Sequence, residues 1–300
     1  MTFTSLIFLF VFFPLCIAGY YLLCFLEKKA GRTFGRIKDI FLILSGLAFY
    51  GWASLDGILI LADYVVLVWA MGVWIGRAED AARKKRAIAV SVIVVTAVLL
   101  FYKYYNFGVE NINRFLNTEI GFSDIAAPLG ISFITFSAVS YLADIYRGDA
   151  AYGNLIDASL FLTFFPKVVS GPIVQWKDFD CQIKGRKVDS DRFLKGLNRI
   201  MTGFAKKLIL ADTFGTVVND IAWYGEGIDQ PTTWICAFFY MMQIYYDFAG
   251  YSDIAIGLSR LFGFEVKENF NFPYMSLSIS EFWRRWHISL YSGSVVKTKI

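Results

Sequence analysis

A single histidine, His287, occurs in the 300-residue sequence. It follows Trp283, Arg284, Arg285 and Trp286, so this short segment combines aromatic rings with cations. Because imidazole gains or loses a proton near neutral pH, such a histidine can act as a general acid or base. The alternative is a histidine that packs or lies at a membrane interface, with the arginines bound to lipid headgroups. The residue types leave both interpretations open.

The segment is predicted to be helical. Ser278 and Glu281 have the spacing of a capping box, which predicts a helix that begins just after Ser278. Glu281 is then placed to pair with Arg285. Arg284 is three residues before His287, where its charge would lower the pKa of the imidazole and favour the neutral form that a general base requires. Continued through the segment, the helix would place four side chains on one face: Trp283, Trp286, His287 and Leu290.

The composition is that of an integral membrane protein. Hydrophobic residues make up 57% of the chain, charged residues 18%, and the mean hydropathy is +0.51. Soluble domains carry about 25% charged residues. The first charged side chain is Glu27, so the preceding 26 residues can cross the roughly 30 Å hydrocarbon core as a helix. They have no basic start and no small-residue cleavage site, which favours a retained helix over a signal peptide.

The distribution of charge predicts an all-α polytopic membrane protein with its N-terminus outside. Basic residues cluster at 28–38 and 77–86, and by the positive-inside rule both loops are cytoplasmic. With one histidine and no Cys-x-x-Cys pair we expect no metal site, and no pattern indicates nucleic-acid binding. The predicted apolar runs are 3–26, 40–55, 57–76, 87–107, 125–146, 158–175, 208–224 and 232–262.

One apolar run, 158–175, differs from an ordinary span. It contains Pro166, Lys167, Gly171 and Pro172, and the residues that follow it are strongly basic. Both flanks are therefore expected on the cytoplasmic side, which predicts a re-entrant hairpin whose irregular backbone lines a cavity. The alternative is an ordinary helix kinked at proline.

Two aspartates, Asp247 and Asp253, are predicted at or near membrane depth. Ionisable side chains there are costly and usually face a cavity or a partner. Arg260 is the next charge along the chain and could pair with one of them. The alternative is that both carboxylates lie at the interface and are solvated.

Residues 243–290 resemble the bacterial membrane-bound O-acyltransferases (MBOAT), in particular the alginate O-acetyltransferase branch. The similarity is carried by 243–253, 254–258, 262–264, 268–274 and 281–290. Upstream, the matching elements are 128–133, 144–148, 165–173 and 203–207. These motifs are long, ordered and in register over residues 1–290.

The resemblance implies a helical bundle around a tunnel, with a re-entrant segment, in the bacterial inner membrane. It implies that an acyl group, in this branch acetyl, passes from a cytoplasmic thioester such as acetyl-CoA toward a cell-surface polysaccharide. The acceptor would be an alginate-like exopolysaccharide or peptidoglycan, the partner a periplasmic SGNH-type acetyltransferase, and no cofactor stays bound. His287 is the implied catalytic residue. The implied tunnel residues are Trp283, Arg284, Arg285, Trp286, Asp247, Asp253, Asn271 and Lys167.

The sequence departs from the family after Leu290. Members continue with further helices, one of which carries a second histidine regarded as catalytic. Residues 291–300 match nothing in the family. We therefore expect an incomplete MBOAT domain over 1–290, which is truncated after the Trp-Arg-Arg-Trp-His-Ile-Ser-Leu motif. A non-family tail over 291–300 follows it.

Other functions remain possible on the sequence alone. A catalytically inactive fragment or an interaction subunit would follow from the absent second histidine. D-alanyl transfer to teichoic acid is the activity of a related branch. A transporter would explain intramembrane aspartates, but no inverted repeat relates the two halves.

Overall fold

The computed structural model describes residues 2–118, 127–169, 171–223, 225 and 228–294. All regular secondary structure in these ranges is helical, which confirms the predicted fold class. Two π-helical stretches (Phe8–Phe12 and Ala205–Ala211) and one 3-10 turn (Pro273–Met275) accompany the α-helices. These are α1 (Phe13–Ala30), α2 (Gly35–Gly51), α3 (Leu55–Gly76), α4 (Ala81–Leu116), α5 (Ile131–Arg147), α6 (Leu155–Thr163), α7 (Phe165–Val168), α8 (Trp176–Ile183), α9 (Ser190–Phe204), α10 (Asp212–Trp223), α11 (Gln230–Leu261), α12 (Ile279–Arg285) and α13 (Ile288–Ser294).

Within the described ranges, three helical stretches are long and apolar enough to cross a bilayer: Phe8–Ala30, Leu55–Gly76 and Ala81–Leu116. Most of their side chains face outward, as expected where lipid takes the place of water. The uncharged N-terminal run is thus a helix of spanning length, as predicted.

The chain forms two compact units. The N-terminal unit contains Ala18–Val169 and Ile173–Gly185, and the C-terminal unit contains Thr2–Ile17, Ser170–Pro172 and Arg186–Ile300. Each has its own aromatic core.

The core of the N-terminal unit is built around Trp176 on α8. Its ring meets the rings of Tyr141 and Phe161 edge-on, at 5.1 and 5.2 Å between centroids. The indole N–H donates to the Ala151 carbonyl at 2.8 Å, so the buried polar atom is satisfied. At Gly46, α2 approaches the end of α6 so closely that a Cβ would lie 2.0 Å from a backbone oxygen.

The segment 158–175 is broken, not continuous. Helix α6 ends at Thr163, the four-residue helix α7 carries Pro166 and Lys167, and the backbone is non-helical at Val169 and over 171–175. The segment is therefore not the kinked ordinary helix of the alternative interpretation. Lys167 is buried, with Nζ 3.7 Å from the centre of the Phe161 ring and 3.4 Å from the Ser137 hydroxyl.

Two glycine pairs set the packing of α9 against α11 in the C-terminal unit. A Cβ on Gly203 would lie 2.7 Å from the carbonyl oxygen of Gly250, and one on Gly257 would lie 2.6 Å from that of Gly196. Because the obstructing atoms are backbone, side-chain movement cannot make room. The two helices therefore pack backbone to backbone, as small residues permit in membrane proteins.

Candidate functional site

The predicted helix around the histidine is interrupted at its centre. Helix α12 ends at Arg285, Trp286 is extended, and His287 has a left-handed backbone with φ 49° before α13 begins. The expectation of one continuous helix through Leu290 was therefore wrong. Two backbone bonds from a neighbouring segment hold the break: Asn271 N–H donates to the Arg285 carbonyl and Ile288 N–H to the Asn269 carbonyl, at 3.0 and 2.9 Å.

The start of α12 agrees with the sequence prediction in most respects. The Ser278 hydroxyl accepts the Glu281 N–H at 3.1 Å, and Glu281 pairs with Arg285 at 2.6 Å. The other half of the capping box differs, because the Glu281 carboxylate accepts the N–H of Leu277. That bond, with the nearby arginines, lowers the pKa of Glu281.

The imidazole of His287 lines an open cavity of about 450 Å³. Trp283 and Arg284 are exposed at this cavity, whereas the histidine ring is half-buried. A ligand here would meet an imidazole, a guanidinium and aromatic surface together. The full lining is Ser280, Trp283, Arg284, Trp286, His287, Leu290 and Tyr291.

The surroundings of His287 favour the neutral ring. The Phe248 ring lies edge-on to it at 4.8 Å, and Nδ1 is 3.3 Å from the Leu290 nitrogen. Burial is the main cause that lowers the pKa of His287. The prediction of a lowered pKa is confirmed, but burial, not the charge of Arg284, causes it.

A second cavity of about 460 Å³ lies beside Asn269 in the same unit. Asp253 contributes a buried carboxylate to it, which pairs with Arg199 at 2.7 Å and Lys206 at 2.6 Å. Arg199 also contacts Glu268, so the charges in this cavity balance. Its lining is Arg199, Lys206, Tyr245, Ala249, Ser252, Asp253, Glu268, Asn269, Phe270, Asn271, Phe272 and Ile288.

The ion pairs of the two aspartates differ from the sequence prediction. Asp253 is buried, as expected for a cavity, but its partners are Arg199 and Lys206, not Arg260. Asp247 is 51% exposed and pairs with Lys207 at 2.5 Å. The cavity-facing interpretation therefore holds for Asp253 and not for Asp247.

The remaining tunnel candidates divide among several places. Trp283, Arg284 and Trp286 share the cavity of His287, and Asn271 lines the second cavity with Asp253. Arg285 is held by Glu281 and lines neither cavity. Lys167 belongs to the N-terminal unit.

Two polar residues at the site were missed by the sequence analysis. Asn269 is buried, donates from Nδ2 to Ser252 at 3.1 Å and accepts the Ser289 hydroxyl at 2.8 Å. Ser289 is also buried. Both lie inside matching elements of the family resemblance, but nothing in their own sequence context predicts that they meet.

The lowered pKa of His287 predicts a stability loss in acid. Its pKa in the folded protein is below the ordinary 6.5, so the unfolded chain binds the proton more tightly. Stability is therefore constant well above pH 6.5 and falls as the pH drops through the folded pKa. We expect thermal unfolding in detergent, followed between about pH 5 and pH 8, to show a steeper acid loss for the wild type than for His287→Gln. Equal slopes would contradict a lowered pKa.

Asp253→Asn is expected to destabilise the C-terminal unit far more than Asp247→Asn. The first change leaves Arg199 and Lys206 without their buried counter-charge. Because both cations are about one-third exposed, the cost is about 2–3 kcal/mol and not the full penalty of a buried pair. The matched change at exposed Asp247 on the same helix should cost less than about 1 kcal/mol. Urea unfolding of the detergent-solubilised variants measures both, and similar losses would refute the assignment.

Comparison with known proteins identifies relatives of the whole chain. The profile of the MBOAT, membrane-bound O-acyltransferase family matches residues 146–292. The protein named "probable alginate O-acetylase" of Pseudomonas aeruginosa is 40% identical over an alignment of 300 positions. The alignment covers 97% of this chain and 55% of that protein. The peptidoglycan O-acetyltransferase of Helicobacter pylori is 27% identical and covers 97% of this chain and 59% of its own length.

Another relative matches a smaller part of the chain. The teichoic acid D-alanyltransferase of Streptococcus thermophilus is 35% identical over 169 residues, 54% of this chain and 41% of that protein. The present chain spans a little over half the length of the curated relatives that it matches along its whole length.

Proposed function

The chain belongs to the membrane-bound O-acyltransferase (MBOAT) family, and we propose that it acts in the O-acylation of a cell-surface polysaccharide. The observation that carries this proposal is the cavity that His287 and Arg284 both line. It lies within the part of the chain that the family profile matches. A half-buried neutral imidazole that shares a cavity with a guanidinium can act on an acyl carbonyl, whose oxygen becomes more negative as a nucleophile adds.

The relatives favour acetyl as the acyl group. The alginate and peptidoglycan O-acetyltransferases each match 97% of the chain, whereas the D-alanyltransferase matches 54%. We propose acetyl-CoA or a similar thioester as the donor, consumed as a substrate and not retained as a cofactor. The acceptor on this proposal is an alginate-like exopolysaccharide or peptidoglycan.

The proposed location is the bacterial cytoplasmic membrane, with the N-terminus outside. The basic clusters at 28–38 and 77–86, which flank α2 and α3, support cytoplasmic positions for both loops. A cytoplasmic thioester and an external polysaccharide lie on opposite sides of this membrane. We therefore also propose that an external acetyltransferase of SGNH type receives the acetyl group.

The proposal is tested by measuring the acetyl content of the cell-surface polymers. A deletion strain is complemented with this chain or with an empty vector, and acetate released by mild base from purified exopolysaccharide and peptidoglycan is measured. The proposal expects acetate in one polymer to fall on deletion and to return with the chain. Acetate that never changes on deletion would refute the function. Loss that only a longer family member restores would show that this chain alone is inactive.

A further inference from the structure

The side chain of His287 caps helix α13. Its Nδ1 receives the backbone N–H of Leu290 at 3.3 Å, and Leu290 is the third residue of that helix. This is the contact of an N-terminal cap, in which the side chain must supply an acceptor. The same N–H is shared with the carbonyl of His287 at 3.0 Å. The backbone carbonyl of His287 also lies within hydrogen-bond reach of its own ring. A backbone N–H cannot turn away, however, and a proton on Nδ1 would face it donor to donor, so the contact with Leu290 favours a bare Nδ1.

Neighbouring side chains hold this arrangement. The Ser289 hydroxyl lies 3.5 Å from Nδ1 and donates to Asn269 Oδ1 at 2.8 Å. A hydroxyl rotates to suit its neighbours, so it does not decide which ring nitrogen is protonated. Asn269 also receives the N–H groups of Ile288, through its backbone carbonyl, and of Ser289, through Oδ1. It thereby fixes the first turn of α13 and the N–H that reaches the ring.

We propose that His287 is the Nε2–H tautomer and donates a hydrogen bond from Nε2 into its cavity, to the carbonyl oxygen of the acyl group, with Asn269 as a positioning residue. This inference rests on the proposed function. In the described part of the chain, the hydrogen bonds that join the ring to other residues are at Nδ1, so Nε2–H is available to a ligand. The donor stabilises negative charge on the carbonyl oxygen while a hydroxyl of the acceptor adds to the thioester. The C–S bond then breaks, and the hydroxyl proton leaves on the released thiol. No proton leaves the ring and no bond forms or breaks at it, which differs from the general-base role expected from the sequence.

The single histidine makes the tautomer directly measurable. Protein labelled with ¹⁵N-histidine and purified through a tag without histidine gives ring nitrogen signals of His287 alone. Two-bond and three-bond couplings to the ring carbon-bound protons distinguish Nδ1 from Nε2. At a pH above the histidine pKa, we expect Nε2 protonated and Nδ1 bare. A proton on Nδ1, or an equal mixture, would overturn the inference whether or not the protein transfers acyl groups.

Two substitutions distinguish a positioning effect of Asn269 on the His287 ring from a general effect on folding. Asn269→Leu is expected to add the second tautomer, because the first turn of α13 loses its anchor. Ser289→Ala keeps the N–H of Leu290 on Nδ1 and should leave the tautomer unchanged. Ser276→Ala is the matched control, since that hydroxyl donates to the Pro273 carbonyl. If Asn269→Leu does not fold, a tautomer change in Ser289→Ala would still refute the cap as its cause.

Activity gives a second test. The side-chain amide of glutamine can place an N–H near the position of Nε2 but cannot act as a base. We expect His287→Gln to retain acetylation at least about tenfold above His287→Ala. Equal loss in both would support a base and overturn the donor role. Absent acetylation in a wild type with the Nε2–H tautomer would instead refute the proposed function and leave the tautomer assignment standing.

Discussion

His287→Ala should lower acyl transfer about 100-fold to 1000-fold while the protein still folds. This is the effect of removing a single hydrogen-bond donor from a site where negative charge develops on a carbonyl oxygen. The half-buried ring makes few structural contacts: it caps α13 and contacts Phe248. Loss of a cap costs about 1 kcal/mol, which a folded membrane protein should withstand. The measurement is base-released acetate in the complemented strain, normalised to the amount of protein in the membrane.

An exposed carboxylate provides the control for this variant. Asp191 on α9 is exposed and pairs with Lys195 on its own helix. Asp191→Asn should therefore keep wild-type acetate at equal expression. If His287→Ala matches it, the cavity around the histidine is not the site of transfer, even though the family assignment would stand.

Gly203→Ala is expected to prevent correct packing of the C-terminal unit. The added methyl carbon would lie 2.7 Å from the Gly250 oxygen and 2.8 Å from the Ile254 nitrogen, closer than carbon atoms approach backbone in folded proteins. The helices must move apart, which also disturbs the Arg199–Asp253 pair between the two glycine pairs. We expect a loss of about 3 kcal/mol or more, at the upper end of overpacking effects. Thermal unfolding and the monodisperse fraction after detergent extraction report it.

The matched control is another helical glycine in the same unit. A Cβ on Gly215 of α10 meets only the side-chain amide of Gln243, which can rotate away. Gly215→Ala should therefore change stability by less than about 1 kcal/mol, since alanine also favours the helix. If both variants unfold equally, close backbone packing at Gly203 is not what distinguishes them.

The helical class, the spanning N-terminal helix and the start of α12 could be predicted from the sequence. Each depends on local signals: an uncharged run of sufficient length, or the spacing of Ser278 and Glu281. The interruption at Trp286 and His287 could not be predicted in this way. It is held by backbone bonds to Asn271 and Asn269, which lie 14 and 19 residues before their partners Arg285 and Ile288, and no glycine or proline marks it.

The site was predicted in part for the same reason. The aromatic and basic residues beside His287 share its cavity because they are close in sequence. The predicted partner of Asp253, Arg260, is wrong: it is the nearest cation along the chain, whereas the actual partners lie on α9 and the π-helical stretch that follows it. Arg199 and Lys206 reach Asp253 only because the glycine pairs bring α9 and α11 together.

The left-handed backbone at His287 places opposing demands on one position. Glycine adopts this conformation with the least strain, whereas asparagine, aspartate and histidine are the side chains found there most often, so backbone strain alone would favour glycine. An imidazole in that conformation costs folding energy that must be supplied by the surrounding contacts. Persistence of the histidine would therefore reflect selection for its chemistry, and a lineage released from that selection should drift at this residue before it loses the buried glycines.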